Sequence, residues 1–294
     1  MRFVCAFAVV AAAFGQGVPA RMVVTAEGSH SKPAPVVNRA DVVVRQGKDQ
    51  APVTDWQPAN SGLQLLVMID DGADSDLGLQ LEDLRKFMRA QPASTEIGVD
   101  YMRNGTVISA HAFTSDHDAA ARSLRLPLGI PGVVASPYVA LSERIKKWPA
   151  YGGRREALMV TSGIDGLYPG GDIQNPYLNR AIEDAQKAGI LVHSIYYAGA
   201  GHAGHSYYQT NWGQSYLSRL ADETGGEAYW QGFQSPVSFA PYLDELEARL
   251  EHQYLMTFEA KPEGKSGLQP VKVRTEKAGV DLAAASRVWV PVRQ

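Results

Sequence analysis

The sequence predicts an α/β protein: a doubly wound, mostly parallel sheet with one antiparallel edge strand, plus a small β annex from the N- and C-terminal strands. Three observations predict it. First, "LQLLVMID" (63–70), "EALMVTSG" (156–163) and "ILVHSIYYAG" (190–199) are near-continuous apolar runs, as expected of strands buried on both faces. Second, stretches with helical spacing alternate with these runs, the order that a parallel sheet with helices on both faces requires. Third, strand-like segments at 40–59 and 254–294 fall outside that alternation and are free to pair with each other.

Taken in order, residues 1–20 read as an export signal. Arg2 supplies the positive start, "FVCAFAVVAAAFG" the apolar core and "VPA" at 18–20 the small residues for cleavage. The run is too short to span a bilayer, and no later segment has 18 uninterrupted apolar residues, so no transmembrane anchor is expected. The protein is therefore expected outside the cytoplasm, periplasmic or extracellular. Cys5, the one cysteine, leaves with the signal, so disulfide and thiol chemistry leave with it. Residues 21–38 are polar and proline-bearing and read as a flexible linker. Residues 39–60 contain two short strands around a "QGKDQ" turn.

The central domain spans 61–253. After its first strand, Leu77, Leu81, Leu84, Phe87 and Met88 set a helix over 77–91. Residues 95–113 form a hairpin through "RNG", which supplies the antiparallel edge. Helices follow at 116–126 and 137–148, a strand at 156–163, a helix with a glycine stop at 175–189 and a strand at 190–199. A helix over 215–226 ends in glycines, "EAYWQG" is a short strand, and 238–253 is a long helix. Strands near 254–260, 269–276 and 287–292 close the chain. Lys146 with Lys147, and Arg154 with Arg155, read as solvated ends of a helix and a strand. The 28 basic against 31 acidic residues give a net charge of −3, which argues against nucleic acid as a partner.

The order of elements, with "LADETGGEAYW" late in the domain, resembles a von Willebrand factor type A domain. More narrowly, the chain resembles a family of exported bacterial proteins with related domains. There, a segment like "ADVVVRQGKDQAPVTDW" precedes the domain, and a strand like "QYLMTFEA" with a basic β tail follows it. The resemblance covers residues 40–292 and implies binding to a protein or cell-surface ligand rather than catalysis.

In such sheets, ligands bind beyond the carboxyl ends of the strands. "DDGADSD", "TSGIDG", "AGAGHAGHSYY" and the helix start near Ser136 should meet there. The resemblance implies a metal-ion-dependent adhesion site at that edge, built on D-x-S-x-S, a threonine and an aspartate. Here Asp70 matches, Gly72 and Asp74 replace the serines, Ser136 stands for the threonine and Ser162 for the aspartate, with Asp165 one turn further on. The expectation is a degenerate site of Asp70, Asp74, Ser136, Ser162 and Asp165, with any Mg²⁺ or Ca²⁺ held weakly and waters completing the shell. Without the resemblance, Asp70 and Asp74 read as caps of the following helix, with Gly72 allowing the turn.

The glycine-rich stretch 196–213 reads as a mobile loop whose His202, His205, Tyr207, Tyr208 and Trp212 form a contact rim. His202 and His205 are also spaced to share a metal, with Asp70 or Asp74 completing the set. His193 reads as a core histidine. Two other classes stay open. One is a hydrolase on Ser162 or a His/Asp cluster, although Val160 and Thr161 replace the sharp-elbow pattern before that serine, so no enzyme is expected. The other is a structural module that assembles through its annex strands.

Overall fold

The computed structural model describes residues 17–28, 35–60, 62–130, 132–169, 171–172, 174–201 and 206–292. In chain order the N-terminal strands are β1 (Val18–Gly28), β2 (Val42–Gln46), β3 (Asp49–Ala51) and β4 (Val53–Pro58). The central domain runs β5 (Leu63–Asp70), a 3₁₀ turn (Ser75–Gln80), α1 (Leu81–Ala90), β6 (Thr95–Arg103), β7 (Thr106–Thr114), α2 (His117–Arg122) and α3 (Pro137–Lys146). It continues with β8 (Arg154–Thr161), α4 (Pro176–Ala188), β9 (Ile190–Tyr196), α5 (Tyr207–Thr224), β10 (Ala228–Tyr229) and α6 (Ala240–Glu251). The tail is β11 (Gln253–Ala260), β12 (Gly267–Pro270), β13 (Lys272–Thr275), β14 (Val280–Ala284) and β15 (Arg287–Val290).

The central sheet has the order β10-β9-β8-β5-β6-β7. Every neighbouring pair is parallel except β6–β7, the hairpin at the edge. Its turn is Asn104–Gly105, both at positive φ (53° and 68°), a conformation that these two residue types reach at least cost. β5 lies mid-sheet, so both of its faces are covered. Leu63, Leu65, Val67 and Ile69 pack with Leu84, Phe87 and Met88 of α1 and Leu243 and Leu246 of α6. Leu66 and Met68 pack on the other face with Tyr138 and Leu141 of α3, Leu178 of α4 and Leu220 of α5.

The ends of the chain build the annex, as the unpaired strand patterns predict. β4 pairs with β11, and β2 pairs with β13, both antiparallel. The first part of the expected flexible linker, residues 21–28, is strand instead. Residues 18–28 form β1, which lies inside the sheet β14-β1-β11-β4. Its alternating Val18, Ala20, Met22, Val24 and Ala26 are buried against Met256 and Phe258, and that burial outweighs the polar look of the neighbouring residues. The expected "VPA" cleavage point lies within this strand, and the rest of the expected signal, residues 1–16, lies outside the described residues.

The expected tail strand 269–276 divides between two sheets: β12 pairs with β15, and β13 with β2. β14 is an addition. Arg154 is not a solvated strand end. It is buried and donates to the Leu250 carbonyl and to Gln253, which ties β8 to α6 and the annex. Among the described residues, no helix is long and apolar enough to cross a membrane.

Candidate functional site

β5 and β8 end side by side at the carboxyl edge of the sheet, so Asp70 and the 161–165 segment emerge together. The chain then reverses after Asp70, whose Oδ1 accepts from the Gly72 amide (3.0 Å), while Oδ2 accepts from the Thr161 hydroxyl (3.0 Å). Asp70 makes no ion pair among the described residues. Burial pushes its carboxyl up to about 6, against the pull of Gly72 and Thr161, and the charge of Asp71 adds to the rise.

A cavity of about 180 Å³ opens at this point. Asp70, Ser136, Ser162 and Asp165 all line it, with the β6–β7 turn, Val134 and Ala135 on one side and Gly201 and Gln209 on the other. Four of the five predicted site residues therefore do share one pocket. Ser136 caps α3 by accepting from the Val139 amide, and Pro137 opens that helix. The Ser136 hydroxyl also bonds Asp165. Asp165 is only 2% exposed and accepts from Asn175 Nδ2 (3.0 Å) and the Leu167 amide (3.0 Å). Burial raises its carboxyl, and these bonds oppose the rise. Ser162, 1% exposed, accepts from the Ile164 amide, and no histidine among the described residues lines its pocket.

Asp74 does not join them. It caps the 3₁₀ turn through the Asp76 amide and accepts from the Tyr197 hydroxyl (2.7 Å). Gly199 leaves room for it, since a Cβ there would lie 2.3 Å from Asp74 Oδ2. The helix-cap reading of Asp74 is thus the one its contacts match.

These donors fit a metal poorly. Asp165 and Ser136 bond each other and their own loops, Asp74 faces away, and no group of three or more His, Cys, Asp or Glu among the described residues is placed for an ion. Hard divalent cations draw on several oxygens at once, and Asp70 alone offers a charged one on the pocket wall without neighbouring side-chain amides around it.

The rim also differs from expectation. α5 begins at Tyr207, not at 215, because Ser206 and Gln209 form a reciprocal capping box. The sequence signal was S-x-x-Q. Tyr207 and Tyr208 therefore sit on the first helical turn, exposed, with Tyr207 packed edge-on to Phe233 (5.0 Å between ring centres). Trp212 is no rim residue. Helical spacing turns it inward onto Tyr216 (5.8 Å) and the core beneath α4 and α5. His202 and His205 lie outside the described residues.

The connection that leads into the pocket lining at Val134 and Ala135 carries a feature that the sequence reading missed. The α2–α3 connection, "RLPLGIPGVVA" (125–135), exposes Leu126, Leu128, Ile130 and Val133, the last at 94%. This apolar crest is anchored, not loose. Arg125 forks onto fully buried Asp71 (2.7 and 3.1 Å), the Leu128 amide donates to the same carboxylate (3.1 Å), and Asn104 accepts from the Val134 amide (3.0 Å). The Arg125 guanidinium also lies 3.8 Å from the Tyr101 ring centre. A run of apolar residues in a loop between two helices was the available signal.

The strand order, the single antiparallel edge and the site at the switch of strand direction define a von Willebrand factor type A-like fold with extra β sheets. No family model and no curated protein matches the chain. It is similar, distantly, to solved structures of that class. One is an aerotolerance-related membrane protein from Bacteroides fragilis, at 13% identity and TM-score 0.46, over 64% of this chain and 98% of that one. Another is the ArnB paralog VWA2 from Sulfolobus acidocaldarius, at 10% and 0.40, over 92% and 76%. A third is the manganese-loaded TRAP protein of Plasmodium vivax, at 10% and 0.40, over 83% and 97%. The fold assignment rests on the strand order itself.

Proposed function

We propose that this is an exported binding protein that holds a partner protein at the carboxyl edge of its central sheet, over a degenerate adhesion site that works without a resident metal. The observation that carries this reading is the pocket lined by Asp70 and Ser162, with exposed apolar residues on the connection that leads into its lining at Val134 and Ala135, and exposed Tyr207 and Tyr208 next in sequence to its lining residue Gln209. Exposed apolar side chains on an anchored loop favour a protein partner, since they are pre-ordered and gain most from being covered. Asp70, Asp74 and Asp76 lie at this edge together with Arg103 and Arg125, so the matching partner surface carries apolar side chains with charged groups of both signs around them.

The test compares capture from the envelope fraction by the native chain, by Leu128→Asp/Val133→Asp, and by an annex control, Lys272→Glu. A protein held by the native chain and the control, lost by the crest variant and unaffected by a chelator supports the reading. Equal capture by all three contradicts it. Loss of capture on chelation, restored by Mg²⁺ or Ca²⁺, contradicts the metal-free part alone.

A further inference from the structure

Sheet edges present rows of unpaired backbone N–H and C=O groups, and folded proteins blunt them with charge, proline or shortness. The annex blunts each of its edges among the described residues. β4 and β12 end in Pro58 and Pro270, β3 and β14 carry Asp49 and Asp281, and β13 and β15 carry Lys272, Arg274 and Arg287. In the central sheet, the β10 edge is two residues long. The β7 edge has no such device in its sequence. Its nine residues, Thr106–Thr114, include no Asp, Glu, Lys, Arg or Pro.

β7 is also bare on its outer side. Val107 and Phe113 pack on the core, but Thr106, Ser109, Ala110 and Ala112 are exposed, and Ile108 is 46% exposed. Among the described residues, no strand pairs with it besides β6. That pairing runs in regular register from Thr106 to Ser109 and slips beyond, opposite Val99 and Asp100. Bulges twist an edge away from partners, so the straight and open part is Thr106–Ser109, with Ile108 in it.

We propose that this stretch pairs with the same stretch of a second copy of the chain. A two-fold axis normal to the sheet sets two copies of β7 antiparallel and opposes the strand to itself. Near that axis any charge would face its own kind, so the pairing suits a strand without charge, and a copy supplies one by symmetry. The helix beside β7 offers both signs, since Glu143 and Lys146 of α3 form an exposed pair (2.7 Å). The net charge of −3 is too small to drive two copies apart. The two Ile108 side chains come together near the axis and leave water. The copies stand inverted, so their pockets open in opposite directions along the strands.

Analytical ultracentrifugation of the native chain, from micromolar to millimolar concentration, tests this. A species of twice the monomer mass is expected. Ile108→Lys and Ser109→Lys are expected to be monomeric with unchanged thermal melting, and the exposed Ser109 decides the matter where the Ile108 variant fails to fold. An equal mixture of Ile108→Lys and Ile108→Glu is expected to return to the doubled mass. A native chain that stays monomeric, open-ended larger species, dimers that persist in Ser109→Lys, or folded Lys and Glu variants that stay monomeric when mixed would each overturn the proposal.

Discussion

Asp70 keeps a carboxylate on the wall of a pocket that Arg103 also lines, yet it makes no ion pair among the described residues. Its usual value of 3.8 rises to about 6, so the folded state holds the proton more tightly than the unfolded chain does. The sign follows from that. The contribution of this group to stability is fully present below the unfolded value and is lost as pH rises through the range between the two. Two units correspond to about 3 kcal/mol at most, and partial exposure of the side chain reduces this to about 1–2 kcal/mol. Asp70→Asn is therefore expected to be more stable than the native chain at pH 7.5 by that amount, with the gap closing near pH 4. Urea unfolding at the two pH values measures it, and an Asn variant less stable at both contradicts it. Such a cost in the native chain is what a residue retained for binding would show.

At this scale the sequence was legible where a residue acts through its own loop. Asp70 and Ser136 are placed by the strand and the helix cap that their neighbours specify. The cap made by Asp74 was legible, but its bond to Tyr197 was not, because Tyr197 is more than a hundred positions away and comes near only when β9 joins the sheet on the far side of β8.

Among elements, the crest is held at its first half by Asp71, through Arg125 and the Leu128 amide, and at its end by Asn104. Asp71 is fully buried, and Arg125 supplies its only salt bridge among the described residues. Removing one member of such a pair leaves a buried charge and costs about 3–5 kcal/mol when burial is complete. The half-exposed Arg125 end brings the expected cost of Arg125→Ala to about 2–3 kcal/mol, with faster exchange of the Leu128 amide, whose acceptor is the same carboxylate. Amide exchange and urea unfolding check both. Unchanged Leu128 protection would show that the crest is held by other contacts. The buried central strands β5, β8 and β9 were legible because both faces are apolar. β1 was not, since its alternation runs straight into "EGSHSKP", and only its place between β11 and β14 makes it a strand. The early start of α5 was hidden by the glycines before Ser206.

Over the whole molecule, the annex and the pocket occupy opposite ends of the sheet. The joint is polar and buried. Arg249 of α6 reaches Glu27 of β1 (2.7 Å) and Glu227 (3.1 Å), and Gln253 donates to Glu156 (3.2 Å). His193, the expected core histidine, lies against Glu156 (2.8 Å), and its other ring nitrogen accepts from the Glu227 amide. Burial alone would raise Glu156, but the hydrogen bond with His193, together with Arg154 and Gln253, holds it below its usual range. These contacts gather at the start of β8, at the opposite end of the strand from the pocket. The sequence showed that the two termini meet, but not that they would close the lower end of the domain through buried charges.

The most direct test of the binding edge is photo-crosslinking in the producing cell, with a benzoylphenylalanine placed in turn at Val133, at Tyr208 and, on the annex, at Lys272. Val133 and Tyr208 are expected to give an adduct with the same second protein, and Lys272 none. An adduct from Lys272 with none from either edge position would contradict the account.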